Sequence, residues 1–206
     1  MPSDRTAPEQ SRTRYNRDEK VIAAAVAVMS DKGYAATSVQ EVADRVGVLK
    51  GSLYHYFSSK EELLFRILEE SHEQVREIRT AVAQLDLPPL ESLLEYVTRS
   101  STWYLENRDR ANIFFTEMKN LSGDRLVAAN RWGREFERGV SDYVSAGQLD
   151  RTIRTDLDQR LVTRFILGAV NNVRFWPSRP SGKQFGNEEI VSALVLLIRD
   201  AISAHR

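Results

Sequence analysis

The chain has 206 residues, 42% of them hydrophobic, which is enough for a packed core and excludes wholesale disorder. It has no cysteine, which excludes disulfides, thiolate metal sites and a cysteine nucleophile. Its histidines, His55, His72 and His205, lie too far apart in sequence for a histidine metal cluster. Lysine plus arginine (29) balance aspartate plus glutamate (29), which argues against a strongly basic nucleic-acid binder but allows a local basic patch.

No apolar run reaches the roughly 18 residues that span a bilayer, and the polar N-terminus has no hydrophobic signal region, so a cytoplasmic protein without membrane contact is expected. Residues 1–16 are predicted to be a flexible arm. With Arg5, Arg12 and Arg14, followed by Arg17 and Lys20, it is basic and suited to reaching phosphates or a groove, although a solvated tail explains it equally well. The first helix is predicted from about Arg17 to Lys32, on the stripe Val21, Ile22, Ala25, Val28 and Met29, with Gly33 as its stop.

Ser38 and Glu41 have the spacing of a capping box and open a second helix, whose Val39, Val42, Ala43 and Val46 face inward until Gly47 breaks it. A third, short helix is predicted from Leu49 to Tyr56, anchored by Leu53 and Phe57. Its other residues, Lys50, Gly51, Ser52, Tyr54, His55 and Tyr56, are polar, small or amphipathic. Glycine inside a helix costs roughly 1 kcal/mol against alanine, which is easier to understand if something must come close to the backbone. Packing at the edge of a core is the plainer reading of Tyr54 and Tyr56. Ser58 and Glu61 make a second capping box. Two short helices joined at a glycine and braced by a first helix form a helix-turn-helix, placed here at residues 17–62.

Residues 17–62 resemble the DNA-binding domain of the TetR family of bacterial transcriptional regulators. The resemblance is carried by Gly33-Tyr34, Thr37-Ser38-Val39, Val42-Ala43, Gly47-Val48, the run Lys50 to Phe57, and Ser59-Lys60-Glu61-Glu62-Leu63. It implies that Thr37, Lys50, Gly51, Tyr54, His55, Tyr56 and Lys60 approach DNA, with Ser52 near base edges. Leu49 departs from the pattern, because the family often has a serine or threonine there and leucine cannot cap a helix.

Residues 63–206 are predicted to be a helical ligand-binding and dimerisation domain, which makes the chain all-α with about nine helices. The fourth helix, about Ser59 to Leu85, carries the seam Leu64, Leu68, Ser71, Val75, Ile78, Val82 and Leu85. His72, beside Glu69, Glu70 and Glu73, reads as a surface residue. Further helices are expected over Leu90–Glu106, Arg110–Leu121, Asp124–Ala146 (capped by Gly147), Thr155–Trp176 and Asn187–Ala204. The last two are apolar enough to pair with their own copies in a four-helix homodimer interface.

Trp103, Tyr104, Phe114, Phe115, Met118, Trp132, Phe136, Tyr143, Phe165, Phe175 and Trp176 are candidate walls of an apolar pocket, with Asn172 and Arg174 as polar groups within it. Plain core is the competing explanation for any one of them. The run Arg164 to Pro177, with Gly147-Gln148-Leu149 and Asp156-Leu157-Asp158, is similar to TetR-type regulators of fatty-acid or sterol catabolism that sense acyl-CoA thioesters. That resemblance implies that Arg174, Arg179 and Lys183 meet CoA phosphates.

No nucleophile elbow, P-loop, zinc or dinucleotide motif is present, so no enzyme, metal or cofactor is expected. The reading is a repressor released from a palindromic operator in double-stranded DNA by a small apolar effector, with an acyl-CoA as the candidate. The alternatives are a regulator sensing a drug or other apolar compound, or a helical ligand-binding module without DNA binding.

Overall fold

A computed structural model describes residues 7–176 and 185–204, with side chains from Asp18 onward. Arg179, Lys183 and His205 lie outside the described residues. The described residues form the nine helices α1 (Ala7–Ala36), α2 (Val39–Val46), α3 (Lys50–Leu53), α4 (Lys60–Ala83), α5 (Pro89–Glu106), α6 (Arg108–Glu117), α7 (Gly123–Leu149), α8 (Gln159–Asn172) and α9 (Asn187–Ile202). Short 3-10 turns follow α6 and α8. One isolated bridge, Ile153 to Ser203, is the nearest approach to a strand among them. The fold is all-α.

Helix α1 begins at Ala7 rather than near Arg17, so the backbone from residue 7 to 16 is helical where a flexible arm was expected. Pro8 sits in the first turn, where its missing N–H is harmless, and Glu, Gln and Arg are good helix formers. Gly33 ends the regular helix at φ 79, a left-handed value that a Cβ disfavours. The capping box at α2 is complete: the Glu41 amide donates to Ser38 Oγ (3.2 Å) and the Ser38 amide donates to Glu41 Oε2 (2.9 Å).

Further boundaries differ from the sequence reading, among them α8, expected over Thr155–Trp176, which starts at Gln159 behind the Asp158 cap and ends at Asn172. Helix α3 stops at Leu53, because Ser52, His55 and Tyr56 bond back three residues rather than four and no side chain caps at Leu49. Helix α4 is capped by Ser59, whose Oγ accepts from the Glu62 amide (3.1 Å), while Glu62 Oε2 accepts from the Ser58 amide (2.7 Å), so the expected box at Ser58 and Glu61 does not form. Gly147 does not end α7. It lies inside the helix against Ile153, whose Cδ1 would stand 2.5 Å from a Cβ at that position.

Two hydrophobic clusters organise the described residues. The upper one joins α4 and α5 to α7, α8 and α9 around Leu93, Val97, Val144, Ile166, Leu194 and Ile198. The lower one is the core of the helix-turn-helix head (Ile22, Met29, Val42, Leu53, Phe57, Leu64, Leu68), completed by Ile113, Leu121, Ala129 and Trp132 from α6, α7 and the turn between them. Polar contacts reinforce that junction. The Ser122 amide and hydroxyl donate to Glu61 Oε1 at 2.8 and 2.9 Å, and Ser30 Oγ donates to Asp109 at 2.6 Å.

Candidate DNA-binding head and effector cavity

The head presents one polar face. Leu53 and Phe57 are buried and pin the α3 turn into the lower core. From that footing Lys50, Gly51, Tyr54 and His55 project into solvent, while Ser52 and Tyr56 are half-buried. A Cβ at Gly51 would meet nothing within 4 Å, so no neighbour inside the protein demands glycine there. Leu49 sits at the N-cap with no side-chain hydrogen bond and is 80% exposed. Glu41 pairs with Lys32 as well as with Ser38. The Lys32 ammonium first, and the Ser38 amide and hydroxyl after it, hold its carboxyl down at about 2.

Two residues expected at the DNA are turned inward instead. Thr37 is 3% exposed, and its Oγ1 donates to the Gly33 carbonyl (2.8 Å), tying down the α1–α2 turn. Lys60 Nζ donates to the carbonyls of Tyr34 (3.0 Å), Ala35 (3.2 Å) and Thr37 (3.0 Å) and sits 4.4 Å from the centre of the Tyr34 ring. An ammonium has three donors, and here all are used within the protein.

Above the head, α4, α5, α6, α7 and α8 enclose a cavity of about 190 Å³. Of the candidate wall residues, Trp103, Tyr104, Phe114, Phe115, Trp132 and Phe136 line it, joined by Val75, Ala111 and Leu167, while Tyr143 packs against the upper core. The rings meet edge to face: Trp103 with Tyr104 (5.6 Å, 69°), Tyr104 with Phe115 (5.8 Å, 71°) and Phe115 with Phe114 (5.6 Å, 74°). Four polar side chains enter the wall: Ser71, His72, Glu137 and Asn171. Asn171 Oδ1 is buried with no partner in the protein, which leaves an acceptor for a bound molecule.

The remaining candidates fall elsewhere. Met118 packs against the lower core. Phe165, Phe175 and Trp176 are 49%, 50% and 43% exposed on the outside of the domain. Asn172 is also exposed, and its amide donates to the Gly168 carbonyl (2.7 Å). Arg174 is buried behind the cavity wall. Its Nε donates to Asn112 Oδ1 (2.9 Å) and its guanidinium lies 4.3 Å from the Phe115 ring and 4.2 Å from the Phe175 ring. Burial lowers its pKa, and the aromatic faces partly compensate its charge.

His72 is not the surface residue expected. It follows Leu68 and Ser71 onto the inner edge of α4, where it lines the cavity and stacks on Trp132 at 5.1 Å and 14°. Burial pushes its pKa down, and Glu135, 3.6 Å from Nε2, opposes this without prevailing, so the imidazole is neutral at pH 7. The sequence signal was present in Ser71, a polar break in an otherwise apolar seam beside a histidine. Trp132 has a double membership: it lines the cavity, and it lies 5.2 Å from Phe65 within the head's core.

Comparison with known proteins agrees with this layout. The family profile for bacterial regulatory proteins of the tetR family matches residues 21–67, and that for the tetracyclin repressor-like C-terminal domain matches residues 86–202. The chain is 28% identical over 192 residues to the HTH-type transcriptional repressor KstR2 of Mycolicibacterium smegmatis, covering 91% of this chain and 94% of that protein. The structure of the ketosteroid transcriptional regulator KstR2 of Mycobacterium tuberculosis superposes with a TM-score of 0.83 at 25% identity, covering 92% of this chain and 96% of that one. AibR, solved in complex with isovaleryl coenzyme A and operator DNA, shares the fold with a TM-score of 0.79 at 23% identity, covering 88% of this chain and 97% of that one. These relatives are regulators, not enzymes. Among the described residues, no helix is long and apolar enough to cross a membrane.

Proposed function

The chain belongs to the TetR family of DNA-binding transcriptional regulators, and from that premise we propose that it is a cytoplasmic, homodimeric repressor released from a palindromic operator by an acyl-CoA thioester. The observation that carries the reading is Trp132, one side chain shared by the cavity wall and the core of the head. A molecule that displaces Trp132 acts on the packing beneath Phe65 and therefore on the angle at which α3 is presented. It shifts the equilibrium by its differential affinity for the two arrangements.

The DNA face is Lys50, Gly51, Ser52, Tyr54, His55 and Tyr56. The open space over Gly51 suits close approach to a duplex, and Lys50 and the tyrosine hydroxyls suit phosphate or guanine. The dimer face is the outer side of α8 and α9. Leu161, Phe165, Gly168 and Asn172 recur at spacings of four, three and four on the exposed side of α8, next to exposed Leu196 and Leu197 on α9. Paired through these helices, two heads would read half-sites about 34–36 Å apart or a multiple of that.

The acyl-CoA reading is supported by an apolar cavity with a buried hydrogen-bond acceptor and by the coenzyme A thioester bound to AibR. The experiment is a mobility-shift titration of operator DNA with acyl-CoAs of graded chain length. Release by a subset of chain lengths is the expected result. Binding that persists across the whole series overturns the acyl-CoA effector.

A further inference from the structure

The cavity has a polar neighbour. A second cleft, of about 360 Å³, lies between α4 and α7 and is lined by Arg76, Arg79, Tyr96, Glu135 and Arg138. His72, Val75 and Phe136 line both spaces, so the two are adjoining compartments separated by shared side chains. One compartment is aromatic and the other is basic.

The charges in the cleft do not cancel. Arg76 is engaged by Glu73 on the preceding turn. Glu135 is engaged by Arg131 at 3.6 Å. Arg79 and Arg138 remain, and among the described residues neither has a carboxylate within ion-pair distance. Arg79 is also positioned. Its Nη1 donates to the Glu135 carbonyl (3.4 Å), and its guanidinium lies against Gly139, where a Cβ would stand 2.9 Å from Nη1. Glycine at that point of α7 makes room for the guanidinium to lie along the helix. A half-buried, positioned guanidinium beside a second free one has the fork geometry and charge that suit phosphate or carboxylate.

Size favours an occupant of both compartments. A cavity of about 190 Å³ is smaller than the roughly 300–1,000 Å³ of drug-sized ligand sites, so it accepts an acyl group and leaves the rest of a thioester outside. We propose that the cleft between α4 and α7 is the anion subsite of the effector site, in which Arg79 and Arg138 hold the phosphates of an acyl-CoA whose acyl chain occupies the aromatic cavity. The inference rests on the acyl-CoA reading above. It assigns the phosphates to α4 and α7 instead of to Arg174, which is buried and committed to Asn112.

The test is calorimetric titration of the full-length protein with two probes: octanoyl-CoA, and the octanoyl thioester of N-acetylcysteamine, which keeps the thioester and lacks phosphate. The proteins are wild type, Arg79→Gln, Arg138→Gln and the control Arg134→Gln, an exposed arginine of α7 outside the cleft. Loss of one solvent-accessible charged contact is expected to weaken octanoyl-CoA about three- to tenfold in each cleft variant. The neutral thioester should bind all four proteins alike, and Arg134→Gln should behave as wild type with both probes. If Arg79→Gln does not fold, Arg138→Gln, whose side chain is exposed, carries the test alone. Wild-type affinity for octanoyl-CoA in the cleft variants overturns the anion subsite and leaves the effector reading standing. Equal weakening of both probes also overturns it. Failure of the wild type to bind any acyl-CoA of the graded series, octanoyl-CoA included, removes the acyl-CoA reading and this inference with it.

Discussion

Lys60 stands where the family resemblance implies a DNA contact, and the structure uses it otherwise. Replacing Lys60 with methionine keeps the aliphatic stem and deletes the ammonium, leaving the carbonyls of Tyr34, Ala35 and Thr37 without their donor. A hydrogen bond to a charged group contributes about 1.5–3 kcal/mol when shielded. These carbonyls are only partly buried, so water replaces much of what is lost, and the three bonds together with the contact to the Tyr34 ring amount to about 2 kcal/mol. In a chain of this size that corresponds to a fall of roughly 4–8 °C in Tm, measured at fixed protein concentration because the oligomer equilibrium also moves Tm. The second assay is the salt dependence of operator binding, with operator DNA obtained by in vitro selection. A lysine that neutralises a phosphate contributes about one to the slope of log K against log salt, whereas a lysine bonded internally contributes nothing. Lys60→Met is therefore expected to melt early with an unchanged slope, and Lys50→Gln to melt normally with a slope reduced by about one. A Lys60→Met protein that melts like wild type and loses a unit of slope would refute the internal role.

Further outcomes follow from other contacts. Gly147→Ala drives a methyl group to 2.5 Å from Ile153 Cδ1 and should lower stability by about 1–3 kcal/mol in a denaturant titration, more than an alanine substitution at the unobstructed Gly133. Phe165→Glu places a charge at the centre of the exposed α8 stripe and should convert the dimer to monomer by light scattering, with weaker operator binding and an unchanged helical spectrum. Because the folded protein holds the His72 pKa below its ordinary 6.5, the unfolded chain takes up a proton first as pH falls. Stability should accordingly decline as pH drops through 6.5 and level off below the folded value, and in His72→Gln melts that component should be absent. A wild type and a variant with the same pH dependence would show that His72 is solvated.

Local chemistry made much of the fold legible in the sequence. Ser38 and Glu41 are three residues apart and needed nothing distant to form their box. The same logic slipped at Ser58, because Ser58–Glu61 and Ser59–Glu62 share one spacing, and the choice between them depends on Glu61 reaching Ser122, far along the chain. Thr37 and Lys60 look polar and available in sequence, and only tertiary placement shows their donors consumed by backbone carbonyls. Helix α8 is apolar on two sides. Val162, Ile166 and Val170 face the core while Leu161 and Phe165 face out, so periodicity alone could not tell which aromatics reach the cavity. Phe165 is misplaced for that reason, and Phe175 and Trp176 because the helix expected to run to Trp176 ends at Asn172, whereas Trp103, Phe114, Phe115, Trp132 and Phe136 lie on helices that converge on one space.

The lower core has a practical corollary for engineering. Ile113, Leu121, Ala129 and Trp132 pack among the head's own apolar residues. A fragment cut after Glu62, or after the end of the helix-turn-helix profile at residue 67, would leave part of that core facing water. Such a fragment is a poor minimal DNA-binding module. A chimera that exchanges operator preference between two such regulators should carry α1 to α4 together with α6 and the first half of α7, cutting across the order of the gene. Its junctions follow the packing of the lower core, and the two profile boundaries, residues 67 and 86, are the wrong places to splice.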